Sequence, residues 1–355
     1  MPSGAADDRP GTAVSTVAGV RRIAVLRANA LGDFLLALPG VEAIRNAYPD
    51  AELTLLALPW HADFLAGRPG PVDEVIALPP ITGVSTSEDG HRAPAGLLER
   101  LRESRFDLAV QIHGGGRYSN PFVRALGAGT TAGLRAPDAP PLDRWVRYIH
   151  FQHETMRYLE VAALVGGHTS LTEPRLTVTA RDRAELGELP EGLVAIHPGA
   201  NDPRRRWPPE RFAAVADRLG RPVVVTGSRA ERDLVARVAG AMRRPPAAVA
   251  GELSVGGLAA LYERCDLLVA NDTGPRHLAA AVGTATVAVY WCGNLINAGP
   301  LSRHRHRPLV SWTPACPVCG AGGLDPHAGR CGHEVSWVTD VPVDAVAEEA
   351  GDLLK

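Results

Sequence analysis

Three short segments of this 355-residue chain gather side chains that could do chemistry, and each directly follows an apolar run of strand length. The first is Arg27-Ala-Asn-Ala-Leu-Gly32-Asp33. Its distinctive group is Asp33, a carboxylate at a helix start, which reads either as a helix cap or as a general base. The second, His197-Pro-Gly-Ala-Asn-Asp-Pro-Arg204-Arg205-Arg206-Trp207, places three guanidinium groups in one loop. Guanidinium forks hold phosphate through two parallel bonds, so this loop is either an anion site or a solvated charge run. The third is Asn271-Asp272-Thr273-Gly274-Pro275-Arg276-His277. Thr273 and Gly274 set backbone N–H groups at a helix start, where the dipole favours an anion by about 0.3–1 kcal/mol. His277, on the first turn, could donate to the same anion or be a structural residue. Glu231, after Thr226-Gly227-Ser228, is a fourth candidate, either compensating a helix dipole or binding a ribose hydroxyl.

The elements that must position these loops alternate between apolar runs and helix-periodic segments, which predicts an α/β architecture with parallel sheets. Strands are expected over 23–28, 52–57, 74–78 and 107–112. A helix following Asp33 should run to about Tyr48, kinked or shortened by Pro39. The polar stretch 82–94 reads as a mobile rim, a long helix is expected over 153–165, and 175–179 ends the first half. The second half begins with a strand over 193–197 and a helix from Pro208-Pro209 to Leu219, stopped by Gly220. Strands at 222–226, 266–271 and 284–291 should alternate with helices at 230–242, at 254–265 capped by Ser254, and from 272 to 283. The resulting organisation is a disordered leader over 1–19, an N-terminal domain over 20–180 and a linker over 181–191. A C-terminal domain over 192–342 follows, with a cysteine-containing loop at 313–334, and then a helix over 343–355. Two doubly wound halves suggest a cleft, with ligands at the carboxyl ends of strands.

Composition removes several function classes. The formal charge is −2, without the basic surplus expected of a nucleic-acid binder. Lys355 is the sole lysine among 37 Lys and Arg residues, which excludes Schiff-base enzymes, Walker-A ATPases and kinases built on a strand lysine. Any phosphate must be held by arginine or by backbone amides. The leader lacks an apolar core, and no run reaches the roughly 18 apolar residues of a membrane helix, so a cytoplasmic location is expected. Five cysteines, an odd number, fit a reducing compartment. Three of them form Cys316-Pro-Val-Cys319 and Cys331-Gly-His333, which is either a Cys3His structural zinc site or a loop of reduced thiols.

Read in order, Arg27–Asp33, His197-Pro-Gly-Ala through Arg206-Trp207-Pro-Pro-Glu-Arg-Phe212, and Asn271-Asp-Thr-Gly-Pro-Arg-His-Leu278 resemble the signatures of glycosyltransferase family 9, the lipopolysaccharide heptosyltransferases. The resemblance runs from Arg21 to Trp291. It implies a GT-B fold of two Rossmann-like domains, with a nucleotide-sugar, typically ADP-heptose, on the C-terminal half. The acceptor, a carbohydrate or a glycosylated small molecule, would lie on the N-terminal half. The reaction it implies is inverting and uses neither metal nor cofactor. By that similarity Asp33 is the general base. Gly199, Ala200, Arg205, Thr273, Gly274 and His277 hold the donor diphosphate, Asp272 shapes their loop and Glu231 contacts the nucleoside.

The chain departs from the family pattern in several places. Arg205 stands where relatives often carry lysine, and Pro198-Gly199-Ala200 replaces hydroxylated residues, leaving backbone contacts only. The acceptor-side segment 111–121 has its own glycine run, and the Cys316–His333 insert lies outside the matched core. Arg303, Arg305 and Arg307 should matter less than Arg205. Competing readings are an epimerase or hydrolase of nucleotide-sugars on the same fold and a non-catalytic nucleotide-sugar-binding module. An oxidoreductase ranks last, for want of a Gly-x-Gly-x-x-Gly turn. No nucleic-acid partner is expected, and peripheral membrane contact stays open.

Overall fold

The computed structural model describes residues 15–325 and 328–355; most of the expected leader, residues 1–14, lies outside them. By contacts the chain divides into two compact units. The first comprises residues up to Ala30, Ala37–His150 and Glu154–Thr172; the second comprises Leu31–Leu36, Phe151–His153 and Glu173–Lys355.

The first unit contains β1 (Arg22–Leu26), most of α1 (Leu31–Ala47), β2 (Glu52–Ala57), α2 (Pro59–Leu65), β3 (Glu74–Ala77) and α3 (Ala95–Glu103). It continues with β4 (Leu108–Gln111), α4 (Ser119–Ala125), β5 (Thr130–Arg135), β6 (Arg144–Arg147) and α5 (Glu154–Leu164). Its strands form one parallel sheet in the order β3-β2-β1-β4-β5-β6, the doubly wound order of dinucleotide-binding folds. Strands covered on both faces must be apolar throughout, and Ile23, Val25, Leu53, Leu55, Leu108 and Val110 are fully buried. Pro39 does not shorten α1: it lies inside one helix that runs through Ala47. An interior proline costs about 3 kcal/mol, and burial of Phe34, Leu35, Leu36, Leu38 and Val41 along that helix offsets it. The stretch 82–94, expected to be a rim, carries local hydrogen bonds: Ile81 N–H donates to Ser85 Oγ at 2.8 Å, and Thr82 Oγ donates to the Glu88 carbonyl at 2.7 Å. β5, β6 and α4 were not visible in the apolar pattern.

The second unit opens on α6 (Ala180–Arg183), a short helix closed by a Thr179–Asp182 capping box inside the stretch expected to be linker. Segment 175–179 joins no sheet; Leu176 N–H bonds the Ala281 carbonyl. Then follow β7 (Val194–His197), α7 (Pro209–Leu219), β8 (Val223–Gly227), α8 (Arg232–Ala241), β9 (Ala247–Ala250) and α9 (Val255–Glu263). β10 (Leu267–Asn271), α10 (Gly274–Ala281), β11 (Ala285–Trp291), α11 (Cys292–Ala298), β12 (His306–Ser311) and α12 (Val343–Leu353) complete it. Its sheet runs β12-β11-β10-β7-β8-β9, the same order as the first when read from the other edge. Pro209 at the first turn of α7 and Gly220 at its end, with φ 63°, act as expected, as does the Ser254 cap, which accepts Gly257 N–H at 3.0 Å. Trp207 is fully buried against Phe212, ring edge to face at 5.1 Å, and donates its indole N–H to the Val341 carbonyl at 3.0 Å. That anchor ties the arginine loop to the core beneath it.

Candidate active site

In a doubly wound sheet the loops leaving the two central strands diverge and leave room for a ligand. In the second unit these are the loops after β7 and β10, and they carry the second and third sequence segments. Asn271, the last residue of β10, fastens them to each other. Its side-chain amide donates to the Pro198 carbonyl at 2.7 Å and accepts Trp207 N–H at 2.9 Å. Asn271 was not singled out from the sequence, although a buried asparagine at a strand's carboxyl end was the available signal.

The three arginines of the loop have three different fates. Arg204 is committed to Asp202, through bonds of 3.0 and 2.5 Å, and lies over the Trp337 ring at 5.1 Å. Arg206 donates to the Ala200 carbonyl at 2.8 Å, which shapes the Gly199–Ala200 turn. Arg205 reaches Asp272 Oδ2 at 3.1 Å and keeps about a quarter of its side chain exposed. Arg204 and Arg205 are about equally exposed and differ in partner: Arg204 is held by Asp202 and the Trp337 ring, Arg205 by the buried Asp272 beside His277. Arg303 and Arg307 pair with Glu349 on α12, and Arg305 donates to the Gly283 carbonyl, away from these loops.

Asp272 is the organiser. It is buried, and its carboxylate accepts Asn294 Nδ2 at 2.7 Å, faces Arg205, and lies 3.7 Å from His277 Nε2. Burial alone would raise its pKa, but these partners favour the anion and hold it below the usual carboxylate range. Asn294 sits on α11, a helix that the sequence reading did not contain, and no local pattern pointed to it. Burial pushes the His277 imidazole down to about 4, with Arg276 adding to the push and Asp272 and Asp33 opposing it. His277 is thus neutral near pH 7 and can donate one N–H without adding charge.

Thr273 is the residue before α10, in extended conformation, and among the described residues no side chain caps this helix. Pro275 has no N–H and the Arg276 N–H bonds the Thr273 carbonyl at 3.0 Å, so the donors at this helix start are the N–H groups of Thr273 and Gly274, at the positive end of the dipole. Leu31–Leu36, the start of α1, groups with this unit, and Gly32 packs closely on α10. A Cβ on Gly32 would come within 3.2 Å of the His277 ring and 3.3 Å of Gly274 Cα. Asp33 is half-buried on that turn; Ala30 is the residue that precedes the helix, so Asp33 is not its N-cap.

Glu231 and His197 form a second cluster. Glu231 Oε2 accepts both the N–H and the hydroxyl of Ser228 at 2.8 Å, closing a capping box, and lies 4.0 Å from His197 Nε2. Its other oxygen crowds Gly199, where a Cβ would lie 2.0 Å from it. Glycine at 199 thus lets the carboxylate lie against the backbone after β7. His197 also contacts Thr226 Oγ at 3.1 Å, and burial lowers its pKa while Glu231 pulls it up.

Two parallel, doubly wound units, one of them presenting an oriented arginine, a neutral histidine and an uncapped helix start, define the GT-B class of glycosyltransferases. The chain belongs to glycosyltransferase family 9, the heptosyltransferase family, whose model matches residues 95–311, more than half of its length. The motif from Arg27 to Asp33 lies ahead of that match. Lipopolysaccharide heptosyltransferase 2 of Escherichia coli is 27% identical over 318 residues, covering 81% of this chain and 87% of its own. Among solved structures, a family 9 glycosyl transferase from Veillonella parvula superposes with a TM-score of 0.72 at 24% identity, covering 94% and 97% of the two chains. E. coli heptosyltransferase WaaC with ADP gives 0.64 at 17%, covering 94% and 99%. The protein is a glycosyltransferase. No helix among the described residues is long and apolar enough to cross a membrane.

Proposed function

We propose that the enzyme transfers a heptosyl group from ADP-heptose to a hydroxyl of a carbohydrate or glycosylated acceptor, by an inverting path that needs no metal. The observation that carries this reading is Arg205, held by the buried Asp272 beside His277 and the uncapped start of α10. That is a preformed cradle for a diphosphate. The ADP bound to WaaC and the names of the relatives support adenine and heptose as the donor's two ends.

Glycosyl transfer shares the oxocarbenium-like transition state of glycoside hydrolysis, with a sugar hydroxyl in the place of water. Negative charge builds on the leaving diphosphate, so donors already aimed at it stabilise the transition state more than the ground state. Arg205, the N–H groups at Thr273 and Gly274, and His277 take that role. Gly199 and Ala200 contact the diphosphate through the backbone, Asp272 holds the loop in shape, and Glu231 binds the nucleoside. Asp33 takes the proton from the acceptor hydroxyl. The second unit binds the donor and the first the acceptor, and the enzyme works in the cytoplasm.

A thermal-shift panel of ADP, GDP, UDP and dTDP, each with its sugar, tests the donor. Ligand at about 100 Kd stabilises by roughly 2.7 kcal/mol. ADP preference is expected, and silence toward every nucleotide would end the reading. Release of free sugar without any acceptor would mark a hydrolase instead.

A further inference from the structure

The segment after β12 is held by something other than a core. Of the described residues between 312 and 336, Cys316 alone is buried, and none belongs to a helix or sheet. Loops longer than about 12–15 residues without secondary structure are uncommon in compact domains. Yet this one is tightly folded around its cysteines. An antiparallel bridge joins Ala315 to Gly322, Cys316 N–H donates to the Ala321 carbonyl at 2.8 Å, and Gly320 N–H donates to the Cys316 carbonyl at 2.9 Å. Gly320 turns the chain with φ 73°, a conformation that side chains resist. The N–H groups of Val318 and Cys319 bond the Cys316 sulfur, and that of Ala321 bonds the Cys319 sulfur. Across the loop, Cys331 and His333 complete the cluster: the four ligand atoms all lie within 4.8 Å of one another.

We propose that Cys316, Cys319, Cys331 and His333 bind one structural zinc ion. Tetrahedral zinc with bonds of about 2.0–2.3 Å places its ligand atoms roughly 3.3–3.8 Å apart, a small contraction of what is already assembled. Three thiolates and one imidazole leave no open position, so the ion is structural and separate from glycosyl transfer. It staples a loop that apolar burial cannot order.

The loop is wired to the arginine segment. Trp337 N–H donates to the Arg204 carbonyl at 2.7 Å and its ring lies under the Arg204 guanidinium, while Arg330 reaches Asp202 at 3.4 Å. Gly323 packs so closely on Trp337 that a Cβ would meet the ring at 2.3 Å, and Trp337 meets Trp291 edge to face at 5.6 Å. Zinc therefore also braces the residues flanking Arg205, a consequence that rests on the donor reading above.

The test is elemental analysis of the full chain purified under reductant without added metal. About one zinc per chain is expected, retained in Cys265→Ala and lost in the Cys319→Ser/Cys331→Ser double variant. Cobalt exchanged into the wild type should show thiolate charge-transfer and the intense visible bands of a tetrahedral ion, which covers the case in which the variant fails to fold. Absence of metal with all five thiols reactive, a Cys316–Cys319 disulfide, or iron in place of zinc would each overturn the assignment. Stripping zinc with a chelator should lower the melting temperature and weaken ADP binding at least severalfold. Unchanged ADP affinity after stripping would refute the bracing. An untreated protein that binds zinc but no nucleotide would refute the donor reading and leave the zinc site intact.

Discussion

The two units share one strand order yet treat their charges in opposite ways. In the first, Arg27, from the loop after β1, turns into the core: it donates to the Ile112 carbonyl at 2.8 Å, lies over Tyr158 and faces Glu154 at 3.6 Å. Glu154 also pairs with Arg157 and Tyr158, and Arg157 donates to the carbonyls of Ile149 and His150. Both arginines are 2% exposed or less, so this network is closed. In the second unit the corresponding network, Asp272 with Asn294, His277 and Arg205, is buried at its carboxylate and open at its arginine. A closed network stabilises one packing. An open one holds a charge in place for a ligand while its anchor stays dry. Identical topology thus yields a closed network in one unit and, in the other, the open one proposed above to bind the donor, and the difference lies in one side chain's exposure.

The largest expected effect concerns Asp33, which lies in α1 but groups with the second unit. Asp33→Asn should lower turnover by about 10²–10⁴-fold, the usual worth of a general base, while ADP affinity holds. Steady-state kinetics beside calorimetric titration would decide, and near-wild-type turnover would return Asp33 to a structural role. Next in size is the closed network. Glu154→Ala removes the carboxylate that faces two buried guanidinium groups and leaves them only their other partners, and breaking a buried ion pair costs about 3–5 kcal/mol. Urea unfolding should register that loss with donor affinity unchanged. A drop in ADP binding at undiminished stability would erase the contrast between the units.

How much of this was legible in the sequence depended on whether the cause was local. Strands covered on both faces announce themselves as apolar runs, so β1, β2, β4, β7, β8, β10 and β11 could be read directly. Of the edge strands only β3, expected over 74–78, could be read; β6 is Arg-Trp-Val-Arg and β12 contains His306, Arg307 and Pro308, because half-solvated edges tolerate polar residues. The loops bearing Arg205, Asp272 and His277 were readable because each lies immediately after such a run. What Arg204, Arg205 and Arg206 each do was not, since Asp202, Asp272 and the Ala200 carbonyl select among three identical side chains. Asn294, 22 residues from Asp272 in sequence, is a partner that only the fold supplies.

Arg205→Ala removes the open end of the second network. Hydrogen bonds to charged groups are worth about 1.5–3 kcal/mol, so ADP affinity should fall roughly 10- to 150-fold. Arg204→Ala should change it far less, because that guanidinium is spent on Asp202 and the Trp337 ring, away from the Asp272–His277 pair that Arg205 faces. Equal losses from the two substitutions would mean that the loop acts as a diffuse charge rather than through one aimed fork.

The finest test uses acid. Burial holds His277 at about 4 in the second unit and His113, whose Nδ1 accepts the Ala28 N–H, at about 3 in the first. An unfolded histidine titrates near 6.5, so as pH falls from there toward the folded value the unfolded chain takes up a proton that the native one refuses. The stability from each neutral histidine is therefore complete above about pH 6.5 and is lost on the way down. The slope is about 1.4 kcal/mol per pH unit for each group. His277→Gln and His113→Gln should each flatten the acid limb of urea-unfolding free energies measured between pH 6.5 and 4.5. Saturating ADP separates them. A diphosphate beside His277 favours its protonated form and raises its folded pKa, so in the wild type and in His113→Gln the nucleotide should make the acid limb shallower. His277→Gln should lose that nucleotide effect. If instead His113→Gln loses it and His277→Gln keeps it, the anion lies against the first unit's histidine, and the assignment of open and closed networks must be exchanged.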